Sequence, residues 1–78
     1  MEIIELLRQK EIEVQDLVIK KDNRFLIEIY LDEILETAKI EIIEDILTKV
    51  LKEKIVLNDE ASVGKRLNFL SEDKYIIR

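Results

Sequence analysis

The 78 residues contain no cysteine, no histidine, no proline and no tryptophan, and a single glycine. Without cysteine there are no disulfides and no thiolate metal sites. Without histidine the commonest general base and the commonest zinc ligand are both missing. Basic residues are also in deficit: 13 Lys and Arg against 18 Asp and Glu leave a net charge of -5. They are dispersed and form no basic stripe, which argues against a phosphate-bearing partner, so no nucleic acid is expected. No apolar run approaches the roughly 18 residues that a membrane span needs. Acidic Glu2 and Glu5 follow Met1 where a signal peptide would be basic. The chain reads as cytoplasmic, or as a cytosolic piece of something larger, with no direct membrane contact of its own.

What is present is aliphatic. Ile, Leu and Val supply 30 of 37 hydrophobic residues, enough for one small domain spanning 1–78, although a chain this short buries only about 60–65% of its unfolded surface. Charged residues make up 40%, rich in Lys and Glu, a balance also common in thermophile proteins.

The longest stretch with a clean helical period is Lys39 to Lys54, KIEIIEDILTKVLKEK. Ile40, Ile43, Ile46, Leu47, Val50 and Leu51 share one face at i, i+3 and i+4 spacing. Glu41, Glu44 and Asp45 come early and Lys49, Lys52 and Lys54 late, complementing the helix dipole, and Asp45 is placed to pair with Lys49. The preceding Asp32–Ala38 fits either an earlier helix start at Asp32 or a cap at Thr37 with the helix beginning near Ala38; the later start is favoured.

Around this helix the period changes. Ile3, Ile4, Leu6 and Leu7 give a short amphipathic helix over Met1–Lys10, too short to be stable alone. Glu11–Lys20 reads as a strand, with Ile12, Val14 and Val18 on one face and Leu17 and Ile19 on the other. Lys21, Asp22 and Asn23 break it, and Asp-Asn suits the positive φ of a tight hairpin turn. Arg24–Leu31 alternates strictly, with Phe25, Ile27, Ile29 and Leu31 towards the core. Its other face is mixed, as for a sheet with one side largely wet or partly covered by the first helix. Ile55–Leu57 is a short strand, Asn58–Gly64 a loop, Arg66–Leu70 a strand and Lys74–Arg78 a last strand after a Ser71–Asp73 turn. The order α-β-β-α-β-β-β predicts an α+β two-layer sandwich, a mainly antiparallel sheet crossed by one principal helix, with a short N-terminal helix.

No catalytic, cofactor or metal residues are proposed. The adjacent acids Asp32 and Glu33, Glu44 and Asp45, and Glu72 and Asp73 read as solvated surface. Asn58-Asp59-Glu60 lacks the alternation and glycine of a calcium loop, and Gly64-Lys65 lacks the rest of a phosphate loop. Ser62 and Ser71 have no histidine to activate them. An enzyme is not expected, because no nucleophile, base and orienting group can be assembled. The one surplus is apolar. Ile3, Ile4, Leu26, Ile42 and Ile76 fall opposite the best core stripes, either covered by the first helix or simply exposed, or forming a partner or homo-oligomer surface.

From Ile12 onward, EIEVQDLVI, NRFLIEIY, KIEIIEDILTKVLKEKIVLNDE and RLNFLSEDKYII together resemble the segment just ahead of the phosphatase domain in the stage II sporulation protein E family of spore-forming Firmicutes. Members have a membrane-spanning N-terminal part, a central region linked to self-association and the cell-division ring, and a metal-dependent serine phosphatase that leads to activation of the first forespore sigma factor. The resemblance covers Ile12 to Ile77. It implies that the abrupt end at Arg78 is a cut between domains. It also implies a non-catalytic regulatory or linking module, acting through self-association or by docking on the phosphatase domain, and no catalytic residue carries over. The cysteines that members often have beside the main helix are absent, so no cysteine-dependent role is implied. The alternative, reached from the residues alone, is a small sensor domain with its ligand between sheet and helix.

Overall fold

A computed structural model describes residues 2–32, 35–57 and 66–71. The first helix, α1 (Glu2–Gln9), buries Ile3 and Leu7, one turn apart on a single face. It ends in a Schellman motif: the Glu11 N–H donates to the Arg8 carbonyl and the Ile12 N–H to the Leu7 carbonyl, both at 2.9 Å. Glu11 takes the left-handed conformation, φ 63°, at the position where glycine is normally favoured. Ile12 and Leu7, the two ends of the longer bond, are both fully buried, which supplies the hydrophobic contact that usually accompanies this cap.

Strand β1 (Val14–Lys21) pairs antiparallel with β2 (Phe25–Leu31). A bulge between Val14 and Asp16 shifts the register, so Val14 lies opposite Leu31 and Leu17 opposite Ile29. Alternation is therefore broken once, and Val14, Leu17 and Ile19 all pack on the core, whereas strict period two had set Val14 with Val18 and against Leu17 and Ile19. The extra residue of a bulge reverses the facing of everything before it. The hairpin closes through Asp22, Asn23 and Arg24, with Asp22 N–H donating to Arg24 O at 3.2 Å. The expected positive φ does not occur there, since among the described non-glycine residues only Glu11 and Lys52 have it.

Helix α2 (Thr37–Leu51) buries Ile43, Ile46 and Leu47, with Ile40, Ile42, Val50 and Leu51 packed at the margins of the core. The later start holds, but Thr37 is the first helical residue and not the cap. Glu36 precedes it as N-cap without a side-chain capping bond. The expected pair forms, Lys49 Nζ lying 3.1 Å from Asp45 Oδ2. The helix closes on Lys52, also left-handed at φ 61°, whose N–H donates to the Thr48 carbonyl.

Strands β3 (Ile55–Leu57) and β4 (Arg66–Ser71) complete a four-stranded antiparallel sheet in the order β1-β2-β4-β3. Both β2 and β3 run antiparallel to β4, so they run parallel to each other. The α2 connection skips a position that β4 then fills, leaving β4 no free edge. One face of the sheet, carrying Ile27, Ile29, Leu31, Ile55, Leu67 and Phe69, joins both helices in a single core. The α+β two-layer sandwich is thus the fold. The first helix sits in the same layer as α2 and does not cover the sheet's second face, because Ile3 and Leu7 are used in the core that α2 completes. The loop Asn58–Gly64 and the expected strand Lys74–Arg78 lie outside the described residues.

Candidate interaction surface

Strand alternation sends every second side chain away from the helices, and the sheet register lines these up across strands. Leu26 pairs with Lys20 on one side and with Leu70 on the other, and Leu70 pairs with Val56. Lys20, Leu26, Leu70 and Val56 therefore form one row crossing all four strands on the outer face. The next row is Val18, Glu28 and Asn68, and the third Asp16, Tyr30 and Arg66. Leu26 is 40% exposed, the one exposed large hydrophobic among the described residues. A shallow depression of about 250 Å³ opens here between Val18, Lys20, Leu26, Glu28, Asn68 and Leu70.

The polar groups on this face are sparsely connected. Tyr30 hydroxyl donates to Glu28 Oε1 at 3.1 Å. Asn68 Oδ1 is shielded from solvent and has no hydrogen-bond partner among the described residues, an arrangement that costs free energy until the group is paired. Asp16 and Glu28 balance Lys20 and Arg66, so the face is neutral on a chain of net charge -5.

At one end of the core lies a second polar cluster, paired except at one carboxylate oxygen. Ser71 is buried to 1% exposure and its Oγ accepts the Phe25 N–H at 3.0 Å. Lys21 Nζ donates to Glu53 Oε1 and lies 4.2 Å from the centre of the Phe25 ring. The hydrogen bond from Lys21 holds the Glu53 carboxyl below the ordinary carboxylate range. Burial pushes the other way and is outweighed, with the Ser71 hydroxyl and the charge of Lys21 also favouring the ionised form. Ser71 lies near Glu53 without closing a bond to Oε2, which has no partner among the described residues. A serine this deeply buried, already engaged with the backbone, ties the strands together and is not presented to a substrate. Glu44 is likewise structural: its Oε2 accepts the Leu57 N–H at 2.7 Å.

The residues singled out in the sequence do not share one surface. Ile3 is in the core at 3% exposure, and Ile4 beside it is half-buried. Ile42 is half-buried and packs against the core from α2. Leu26 stands on the outer sheet face, and Ile76 lies outside the described residues. Missed were Val18, Val56, Leu70 and Asn68. Strand parity would have placed Val56, Leu70 and Asn68 opposite Ile55 and Phe69, but only the register between strands shows that Leu26, Leu70 and Val56 stand side by side.

Among the described residues no three His, Cys, Asp or Glu side chains are grouped to hold a metal ion, and no helix is long and apolar enough to cross a membrane. No protein-family model, curated protein or solved structure matches the chain.

Proposed function

We propose that the chain is a non-catalytic interaction module that docks a protein through the outer face of its sheet. The observation that carries this reading is the row Leu26, Leu70 and Val56, apolar side chains aligned by register on a face that neither helix covers. A sheet face of this kind is a common place for another layer to pack. The sequence likeness to the segment ahead of the phosphatase domain of stage II sporulation protein E supports a more specific reading. The chain is then the cytoplasmic regulatory or linking module of a membrane-anchored sporulation phosphatase, and the docked protein is that phosphatase domain or a second copy of the module. Two experiments test this. The parent reading frame should continue past Arg78 into a phosphatase domain, and a frame that stops there removes the sporulation reading. Isotope-labelled chain titrated with that domain should show amide shifts at Leu26, Val56 and Leu70, and shifts confined to α1 and α2 would remove the sheet-face reading.

The depression of about 250 Å³ favours a second reading, a small-ligand sensor. It lies on the outer face, whereas the sequence had placed a ligand between sheet and helix, where Ile29, Ile43 and Leu47 are fully buried. At the small end of ligand sites and open to solvent, it suits a side-chain anchor better than a whole metabolite. Thermal-shift screening against metabolites checks it.

A further inference from the structure

We propose that the outer edge of β1 takes an extended segment of a partner protein as a fifth, antiparallel strand, with a carboxylate of that segment set against Lys20. This surface is separate from the outer sheet face, and either can fail without the other.

Register decides which backbone groups face outward. Asp22 N–H donates to Arg24 O across the end of the hairpin, so the adjacent pair, Lys21 and Phe25, exchanges no hydrogen bonds with each other. Phe25 agrees, since its N–H turns the other way, to Ser71 Oγ. The two kinds of pair alternate along an antiparallel ladder, so Lys21, Ile19 and Leu17 direct both N–H and C=O away from β2. The sheet's two edges are then treated differently. On β3 the outward N–H groups of Ile55 and Leu57 are capped by Thr48 and Glu44 from α2. On β1 only the Leu17 N–H is capped, by Asp16 Oδ1 at 2.8 Å. Among the described residues nothing meets the Leu17 carbonyl or either backbone group of Ile19 and Lys21. Donors and acceptors alternating at strand spacing are matched by another extended backbone. The Asp16 cap and the bulge bound this slot at one end and the hairpin turn at the other, so it runs from Leu17 to Lys21.

Side chains fix the partner's chemistry. Leu17 and Ile19 pack on the core from this edge yet stay half-buried, and apolar residues opposite them complete their cover. Lys21 is held by Glu53. Lys20 points to the other face, is exposed, and forms no ion pair among the described residues. An acid opposite it gains a cross-strand charge pair, whereas a basic residue there is repelled. Charges more than about 8 Å away are screened at physiological salt, so Lys20 decides the contact and not the net charge of -5. A lysine on an edge strand guards against indiscriminate pairing; here it also sorts partners by charge. The segment that fits is apolar opposite Leu17 and Ile19, acidic opposite Lys20 and neutral opposite Val18. A contact this short is weak, with a dissociation constant on the order of 10⁻³ M.

Amide hydrogen exchange of the whole isotope-labelled chain tests it. In the free chain Ile19 and Lys21 should exchange at least about tenfold faster than Lys20, Ile55 and Leu57. The acetylated and amidated peptide Val-Glu-Val-Thr-Val, at about 5 mM, should slow Ile19 and Lys21 about fivefold. The same peptide N-methylated at its central valine should have no effect, since that N–H is the donor to the Ile19 carbonyl. Val-Lys-Val-Thr-Val should protect at least about threefold less. Lys20→Glu should reverse this preference, with circular dichroism confirming that the fold is kept. Slow exchange of Ile19 and Lys21 in the free chain at every concentration overturns the proposal, because the edge is then already occupied. Protection that grows with chain concentration overturns it in favour of copies paired edge to edge. Protection by neither peptide, equal protection by both, or protection that survives N-methylation overturns it as well. Docking on the outer face is read separately, from the amide shifts at Leu26, Val56 and Leu70.

Discussion

Glu44 Oε2 accepts the Leu57 N–H at 2.7 Å, so a helix side chain occupies the backbone of an edge strand. One turn on, Thr48 Oγ1 accepts the Ile55 N–H at 3.1 Å. The spacings agree: four helical residues advance about 6 Å and two strand residues about 6.6 Å. With Val56 paired to Leu70, Ile55 and Leu57 direct their N–H groups away from β4, where another strand would otherwise dock. The i, i+4 pair on α2 seals that edge.

Removing the seal should cost stability and solubility together. Glu44→Ala leaves the Leu57 N–H without its acceptor and is expected to lower unfolding free energy by about 1–2 kcal/mol, and Thr48→Val by about 1 kcal/mol. Glu44→Gln keeps an acceptor and should lose less. Urea denaturation measures the stability, and turbidity on storage reports the opened edge, with the double variant aggregating fastest.

The two left-handed helix ends provide an opposite prediction. Glu11 and Lys52 hold φ near 60°, where a side chain costs about 1 kcal/mol that glycine avoids. Glu11→Gly and Lys52→Gly should each stabilise the chain by about 0.5–1 kcal/mol. Glu11→Ala separates this from any charge effect, because alanine keeps the strain and should bring no comparable gain in a thermal melt.

These ends also show where sequence reading stops. The main helix, β2, β3 and β4 were legible because their apolar residues follow one period and local physics decides them. The caps were not, since in a chain with one glycine the left-handed positions fall to Glu11 and Lys52, residues that signal nothing. The bulge left only an indirect mark, the conflict of Val14 with Leu17 and Ile19. The outer-face row was half legible: Leu26 stood out, but its neighbours Leu70 and Val56 lie dozens of residues away, and pairing register between distant strands is set by the assembled fold.

The short N-terminal helix is part of the core and not an appendage. Leu7 is fully buried and Phe69, on the central strand β4, equally so. Leu7→Ala is expected to cost about 2–5 kcal/mol and Phe69→Ala about 3–5 kcal/mol. Against a typical total of about 5–15 kcal/mol, lower for a chain this small, either leaves a marginal fold. A dispensable α1 would instead leave the Leu7→Ala urea midpoint unchanged.

The Glu53 carboxylate makes acid stability depend on Lys21. Its folded pKa is depressed below the ordinary 4.5 by the Lys21 hydrogen bond first, so the unfolded chain takes up a proton more readily than the folded one. The resulting stabilisation is present above about pH 4.5 and is lost as pH falls through the folded value. Lys21→Met should therefore be less stable than the natural chain at pH 7, with the difference shrinking as pH drops below 4. It should not vanish, because Lys21 also lies over the Phe25 ring, a contact indifferent to pH in this range. Lys21→Arg preserves both interactions and should track the natural chain. Urea midpoints of the three proteins at pH 7 and pH 3 decide the matter: a Lys21→Met deficit equal at both values would show that Glu53 contributes nothing through its ionisation.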